Sequence, residues 1–269
     1  MTRSFIETIE KLRLAGATSL LIDITRNGGG SEWAEAAARI VSPVLLRSAP
    51  ISVVRSEKQV RYWRDLSETL RKEALTSLPA DRSTLLGYAD KADAIAQALR
   101  PCGDSKCALL VSAAYASGLL SEWPASAFSG KAWAASVFSP AQFPYRNAVW
   151  RGPVIVLVDS QTWSAAEQFA AVLRDNEAAV IMGERTGGAG CGHINGNEPI
   201  TLTNSGGLLE LPNCARFRKD GSNEVNGIVP DVATGVRWDD GRAFAGKTTV
   251  TQLTNALGQA ERQFRARRR

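Results

Sequence analysis

The sequence is poor in the residues that bind transition metals. Its 269 residues include one histidine, His193, and four cysteines. The cysteines are paired along the chain as Cys102 with Cys107 and Cys191 with Cys214, and neither pair has the spacing of a zinc site. We therefore predict no metal and no cofactor. Either pair could form a disulfide, while free thiols are the alternative for a chain that is not exported.

Long apolar runs and a secretory signal are also missing. No stretch approaches the roughly 18 consecutive apolar residues that a membrane-spanning helix needs. The first residues lack a basic region followed by an apolar one, as a signal peptide would have. Taken literally, the sequence predicts a cytoplasmic chain without a membrane span. A signal peptide encoded upstream of Met1 would instead place it in the periplasm or outside the cell.

The excess of positive charge is confined to one end of the chain. The formal net charge is +5, and the last eight residues alone contain five arginines. A short terminal cluster of this kind is typical of a solvated tail rather than of a nucleic-acid surface. We predict no nucleic-acid partner.

Apolar periodicity predicts an α/β fold with parallel strands. A buried strand, TSLLIDI, is followed by the glycine-rich turn TRNGGG and by an alanine-rich helix with Ser31 as N-cap. Further on, GPVIVLVDS (152–160), SAAEQFAAVLRDN (164–176) and AAVIMGE (178–184) form a strand, a helix and a strand. This order predicts a right-handed parallel crossover. Two apolar runs around NSGG predict a β-hairpin towards the C-terminus.

The same patterns suggest four segments. Residues 1–55 and 151–245 form the two parts of the core, and the second part carries the candidate site. Residues 56–150 form a helical insertion with amphipathic patterns at 56–77 and 83–100. Residues 246–269 form a C-terminal helix and the basic tail.

Two loops at the carboxyl ends of predicted strands contain the candidate site, because ligands bind at this edge of open α/β sheets. Ser164 begins a helix, where it could act as a nucleophile beside the N–H of Ala165. Gly29 and Gly30 leave further backbone N–H groups bare for an oxyanion. The alternative is structural, since Ser164 and Glu167 also fit a capping box, and three glycines often form only a tight turn.

Four ordered blocks carry a family resemblance: LLIDITRNGGG, GPVIVLVDSQTWSAAEQFAAVLRDN, AAVIMGERTGGAG and GIVPDV. Over residues 17–47 and 150–233 the chain resembles the tail-specific, or C-terminal processing, serine peptidases. The resemblance implies a crotonase-like core and a peptide or protein substrate. It also implies Ser164 as nucleophile, with Gly29 or Gly30 and the N–H of Ala165 as oxyanion hole.

One position departs from this family. Many members pair the serine with a lysine in a Gly-Lys-Gly element, where this chain has Ala189. A second branch, similar to tricorn-type peptidases, uses Ser, His and Glu. The base is therefore either His193, whose ordinary pKa of about 6.5 suits the role, or a histidine upstream of Met1. Glu167 either orients that base or only caps the helix.

Two alternative functions remain at this stage. The vacant lysine position favours a pseudo-peptidase that binds peptides without cleaving them. A crotonase-like acyl-CoA enzyme would use the same paired N–H groups but does not explain the serine. If the chain recognises free C-termini, Arg26 could bind the substrate carboxylate; otherwise Arg26 pairs with Asp23 or Asp159.

Overall fold

The structure is a computed structural model that describes residues 1–31, 33–47, 51–100, 107–113, 124–137, 140–192, 199–236 and 239–267. Within these ranges the helices are α1 (Thr2–Leu14), α2 (Trp33–Val41), α3 (Glu57–Thr76), α4 (Pro79–Ala98), α5 (Ala165–Asp175) and α6 (Arg242–Ala266). The strands are β1 (Leu20–Asp23), β2 (Ile51–Val54), β3 (Leu110–Ser112), β4 (Val154–Val158), β5 (Val180–Gly183), β6 (Ile200–Thr201), β7 (Leu208–Leu209), β8 (Cys214–Arg216) and β9 (Val232–Ala233).

The main sheet is parallel and has the strand order β1-β4-β5-β9. Strand β4 has the sequence VIVLV and is buried along almost its whole length. A continuous apolar run is typical of a parallel strand that helices cover on both faces. Helix α5 connects β4 to β5, as the strand–helix–strand pattern predicts. The predicted α/β fold with parallel crossover units is confirmed.

Alternate residues of β4 face the two helical layers, because successive side chains of a strand point to opposite faces. Val154, Val156 and Val158 pack in the core with α1, α2 and α5. Ile155 belongs to the opposite core, where Ala256 and Ala260 of α6 pack against the sheet. No helix in the described part of the chain is long and apolar enough to cross a membrane.

A second, antiparallel sheet has the order β3-β2-β8. Its core is shared with α3 and α4, and it includes Val53, Trp63, Leu85 and Cys214. The segment predicted as a helical insertion thus contains α3 and α4, but its strand β3 pairs with β2 from the preceding segment. The division of the chain into segments at 55 and 151 stays a prediction.

One of the two cysteine pairs lies in described residues and is a disulfide. Cys191, which follows the loop after β5, is bonded to Cys214 of β8. The bond therefore joins the loop of the main sheet to the second sheet. Cys107 is disulfide-bonded as well, whereas Cys102 lies outside the described residues. Between Cys191 and Cys214, β6 and β7 form the predicted antiparallel hairpin.

Candidate active site

The loops after β1 and β4 lie side by side because these strands are parallel neighbours. The side chain of Asp159 accepts the backbone N–H of Arg26 at 2.9 Å. The buried hydroxyl of Thr162 donates to the carbonyl of Ile24 at 3.0 Å, and the N–H of Trp163 donates to the carbonyl of Asn27 at 2.9 Å. These bonds fix the glycine-rich turn against the residues that precede α5.

Ser164 lies at the N-terminus of α5 in a conformation that is unusual for a residue with a side chain. Its φ is 55° and its ψ is −121°. An L-residue in such a region costs on the order of 1–3 kcal/mol, and residues of this kind concentrate at functional sites. A strained strand-to-helix turn also presents the nucleophile of α/β-hydrolases. An ordinary N-cap has an extended φ and needs no such strain.

The carboxylate of Glu167 holds Ser164 in place. Glu167 is fully buried, and its Oε2 accepts the backbone N–H of Ser164 at 3.0 Å, as in a capping box. The N–H groups of residues 188–190 donate to the same carboxylate at 2.8, 2.9 and 3.3 Å. The hydroxyl of Thr186 adds a fifth hydrogen bond at 2.5 Å. Glu167 therefore joins the start of α5 to the loop after β5.

Gly29 lies in direct contact with the serine. A Cβ at this position would lie 2.7 Å from the nitrogen of Ala165 and 2.8 Å from the Cβ of Ser164, and the φ of Gly29 is +94°. Only glycine fits both this space and this conformation. The N–H of Gly29 donates to the side chain of Asn27 at 2.9 Å. Among the described residues, no acceptor is bonded to the N–H of Gly30 or of Ala165.

The arrangement combines a strained serine, a helix N-terminus and two unpaired N–H donors at one edge of the sheet. The comparisons with known proteins agree with it. The profile of Peptidase family S41 matches residues 1–234. The chain belongs to peptidase family S41.

The S41 relatives are longer proteins. The chain is 35% identical over 98 residues to carboxyl-terminal-processing peptidase 3, chloroplastic, of Arabidopsis thaliana. The aligned segment covers 36% of the chain and 18% of that relative. It is 43% identical over 121 residues to a protein of Chlamydia trachomatis serovar D, covering 43% of the chain and 20% of that protein. The structure of mature CPAF complexed with lactacystin has a TM-score of 0.63 and 20% identity, covering 97% of this chain and 48% of CPAF. The chain thus spans under half of CPAF and about a fifth of these two relatives.

Two positions bear on the general base of this S41 chain. Ala189, at the position where the family resemblance predicts a lysine, lies in the loop that surrounds Glu167, and its N–H donates to Oε2. Its side chain is exposed. His193 lies outside the described residues. The identity of the base therefore stays a prediction.

Arg26 lies on the same loop as the glycines but does not take either predicted ion-pair partner. Its backbone N–H binds Asp159, whereas its side chain is exposed. In the described ranges, the guanidinium forms no ion pair with Asp23 or Asp159, and the carboxylate of Asp23 instead accepts the N–H and hydroxyl of Thr25 at 2.9 and 2.8 Å. Binding of a substrate carboxylate by Arg26 stays a prediction.

A buried polar network behind α5 was missed by the sequence analysis. Arg216 donates to Glu224 at 2.7 Å, to Gln168 at 2.9 Å and to the carbonyl of Gly190 at 3.0 Å. Gln168 also donates to Glu35 of α2. All four side chains are buried. The network connects α2, α5 and β8 to the loop that holds Glu167, and no local motif in the sequence signals it.

Gly29→Ala is expected to lower the free energy of unfolding by about 2 kcal/mol, because the new methyl group meets backbone atoms at a positive φ. The clash falls on Ser164 and Ala165, so reactivity at Ser164 should fall as well. Denaturant unfolding and labelling by a fluorophosphonate measure the two effects. Gly28→Ala is the matched control, because its Cβ would have no neighbour within 4 Å. Equal effects of the two variants would contradict the contact between Gly29 and Ser164.

Proposed function

We propose that the chain is a serine peptidase in which Ser164 attacks a peptide carbonyl. The observation that carries this proposal is the strained φ of Ser164 beside the unpaired N–H groups of Gly30 and Ala165. Helix capping alone does not need this strain, whereas N–H groups without an intrahelical partner are common to all helix N-termini. Both are expected where a nucleophile and an oxyanion hole are preorganised.

The proposed reaction is acyl transfer. A bond forms between Oγ of Ser164 and the carbonyl carbon while the hydroxyl proton passes to a base. The carbon–nitrogen bond then breaks, and the amine leaves with that proton. Water hydrolyses the resulting ester, which releases a carboxylate product and restores the serine.

The oxyanion of this reaction is bound by Gly30 and Ala165 in our proposal. The N–H of Gly29 already donates to Asn27, and that of Ser164 to Glu167, so neither is available for a substrate. The N–H of Ala165 lies in the first turn of α5, where the helix dipole favours a negative charge. Loss of one such donor typically costs about 10²- to 10³-fold in rate.

We assign the base to His193, and Glu167 to the positioning of Ser164. Because the relatives include a carboxyl-terminal-processing peptidase, we further propose that substrates are cleaved near their C-termini. The exposed guanidinium of Arg26 would bind the terminal carboxylate. A second candidate function, peptide binding without cleavage, is favoured by Ala189 at the position of the family lysine.

Fluorophosphonate labelling tests the proposal. Wild-type protein is expected to take one adduct on the peptide that contains Ser164, and Ser164→Ala is expected to lose both the adduct and peptide cleavage, by at least about 10³-fold. Ser160→Ala, in the same loop, is the matched control and should label at the wild-type rate. His193→Ala should slow labelling without unfolding the protein. A wild-type chain that binds peptides but takes no label would favour the non-cleaving alternative.

A further inference from the structure

Arg216, the last residue of β8, is a buried cation whose side chain reaches the loop after β5. Its Nε donates to Glu224 at 2.7 Å, one terminal nitrogen donates to the side chain of Gln168 at 2.9 Å, and the other donates to the carbonyl of Gly190 at 3.0 Å. A guanidinium presents its donors in a rigid planar fork. The side chain therefore fixes where these three acceptors lie relative to one another.

The backbone of Gly190 is bonded in both directions. Its N–H donates to Oε2 of Glu167 at 3.3 Å, and the same oxygen accepts the N–H of Ser164 at 3.0 Å. Its carbonyl accepts from Arg216. The φ of Gly190 is +56°, and a Cβ there would lie 3.0 Å from the nitrogen of Val225. Three consecutive hydrogen bonds thus lead from the guanidinium to the backbone of the candidate nucleophile.

A second path from Arg216 to the serine passes through the first turn of α5. The backbone N–H of Gln168 donates to the carbonyl of Ser164 at 3.0 Å. The side-chain amide of Gln168 donates to Glu35 and accepts from Arg216. Because an ionised carboxylate only accepts and a guanidinium only donates, these partners define the orientation of the amide. Arg216 therefore bonds to both elements that surround Ser164, namely α5 and the loop after β5.

The neighbouring disulfide attaches the same loop to β8. Cys191 follows Gly190 directly and is bonded to Cys214, two residues before Arg216. The disulfide limits how far the loop can move from β8, but the direction of the Gly190 carbonyl depends on its hydrogen bond. Loss of the guanidinium should therefore change the orientation of the loop without detaching it.

We propose that Arg216 is a positioning residue for the reaction at Ser164. A strained conformation persists only where the surrounding structure fixes it. Arg216 fixes the loop that binds the carboxylate of Glu167, and Glu167 in turn binds the backbone of Ser164. The inference rests on the proposed function, because this conformation matters for catalysis only if the hydroxyl of Ser164 attacks the substrate.

Arg216→Lys is the first test. Lysine keeps the positive charge, but its single ammonium nitrogen does not reproduce the fork that serves three acceptors. We expect the ion pair with Glu224 to persist and the bond to the carbonyl of Gly190 to be lost. Labelling of Ser164 by a fluorophosphonate, measured on the folded fraction, should fall at least about 10-fold, since a displacement of about 1 Å at a reactive group can cost about 10²-fold in rate.

Arg218→Lys is the matched control. Arg218 lies two residues further along the chain and is just as buried. It donates two hydrogen bonds to Asp175, at the C-terminal end of α5, at 2.7 and 2.6 Å. Among the described residues, no hydrogen bond joins Arg218 to the loop after β5. The control should lose stability to a similar degree and label at the wild-type rate.

A chemical rescue separates positioning from stability. Arg216→Ala leaves space for a small cation in place of the side chain. Millimolar ethylguanidinium is expected to restore most of the labelling rate that this variant loses, whereas ethylammonium, which has the charge without the fork, should not. An equal response to the two cations, or no response to either in folded protein, would overturn the positioning role. If Arg216→Ala does not fold, Arg216→Lys and its control decide the question.

The outcomes distinguish this inference from the proposed function. A wild-type chain that takes no label would overturn both. Normal labelling of wild-type protein and of folded Arg216→Lys would overturn the positioning role and leave Ser164 as the nucleophile. An equal loss in Arg216→Lys and Arg218→Lys would indicate a general effect of stability and would also overturn it. A loss in Arg216→Lys alone, together with rescue of Arg216→Ala by ethylguanidinium, would support it.

Discussion

Replacing Glu167 with glutamine is expected to lower the free energy of unfolding by about 3 kcal/mol and to abolish fluorophosphonate labelling at Ser164. The two side chains have nearly the same shape, so the effect comes from the lost negative charge and the lost hydrogen-bond acceptor rather than from packing. The carboxylate accepts five hydrogen bonds and donates none. An amide replaces one acceptor oxygen with two donors.

No orientation of the amide avoids a conflict. One oxygen of Glu167 accepts from Thr186 and Gly188, and the other accepts from Ser164, Ala189 and Gly190. An NH₂ group in the first position faces the N–H of Gly188, although the hydroxyl of Thr186 can rotate to accept from it. In the second position it faces three backbone N–H groups, so in either orientation at least one buried backbone donor loses its acceptor. A buried donor that loses its hydrogen-bond acceptor destabilises the folded protein by its full desolvation penalty. The loop after β5 and the backbone of Ser164 are expected to move apart.

Denaturant unfolding gives the stability, and labelling measured on the folded fraction gives the reactivity of Ser164. Glu57→Gln, at an exposed carboxylate in the first turn of α3, is the matched control and should change stability by less than about 0.5 kcal/mol. A Glu167→Gln protein that is folded and labels at the wild-type rate would show that these bonds do not position the serine. A loss of labelling in fully folded protein would support a positioning role beyond general stability.

The sequence predicted only the part of this site that depends on local patterns. The spacing of Ser164 and Glu167 predicts a capping box, and the hydrogen bond between them is present. The three N–H groups that complete the carboxylate site come from residues 188–190, more than 20 positions away. Their approach depends on the path of a glycine-rich loop, whose backbone has too many allowed conformations to be predicted from sequence.

The fold shows the same division between local and distant pairing. The strands β1, β4 and β5 were predicted because each lies within a longer apolar run, TSLLIDI, GPVIVLVDS or AAVIMGE, next to a helix of clear period. The second sheet was not predicted. Its strands β2, β3 and β8 have three or four residues each and are separated by more than 50 positions. Short strands that pair across such distances leave no periodic signal in a single sequence.

The buried ion pair of Arg216 and Glu224 illustrates a further limit. Both residues lie in a charged segment, RFRKDGSNEVNG, whose composition is typical of an exposed loop. Most of the segment is exposed, and the burial of Arg216 and Glu224 follows from its packing against the loop after β5, where a Cβ at Gly190 would lie 3.0 Å from the nitrogen of Val225. Charge alone therefore does not distinguish a buried network from a solvated surface.

Replacing Ser164 with glycine is expected to abolish labelling and cleavage while raising the free energy of unfolding by about 1 kcal/mol. Glycine adopts positive φ without a steric penalty, so the variant recovers the strain of on the order of 1–3 kcal/mol at this position. Two effects reduce this gain. The lost cap destabilises the protein by a few tenths of a kcal/mol, and the greater freedom of glycine in the unfolded chain destabilises it by about 0.5–1 kcal/mol.

Ser56→Gly provides the matched comparison for this prediction. Ser56 caps α3 with an extended backbone at φ −158° and accepts the N–H of Gln59 at 3.2 Å. It has no strain to release, so glycine there should lower stability by about 1 kcal/mol. Urea unfolding measures both changes, because a shift of the midpoint at an unchanged slope (m-value) reports a change in the free energy of unfolding. If glycine raises the free energy of unfolding at position 164 and lowers it at position 56, Ser164 is held in a strained conformation that serves reactivity. A purely structural cap would be destabilised by glycine, as Ser56 is expected to be.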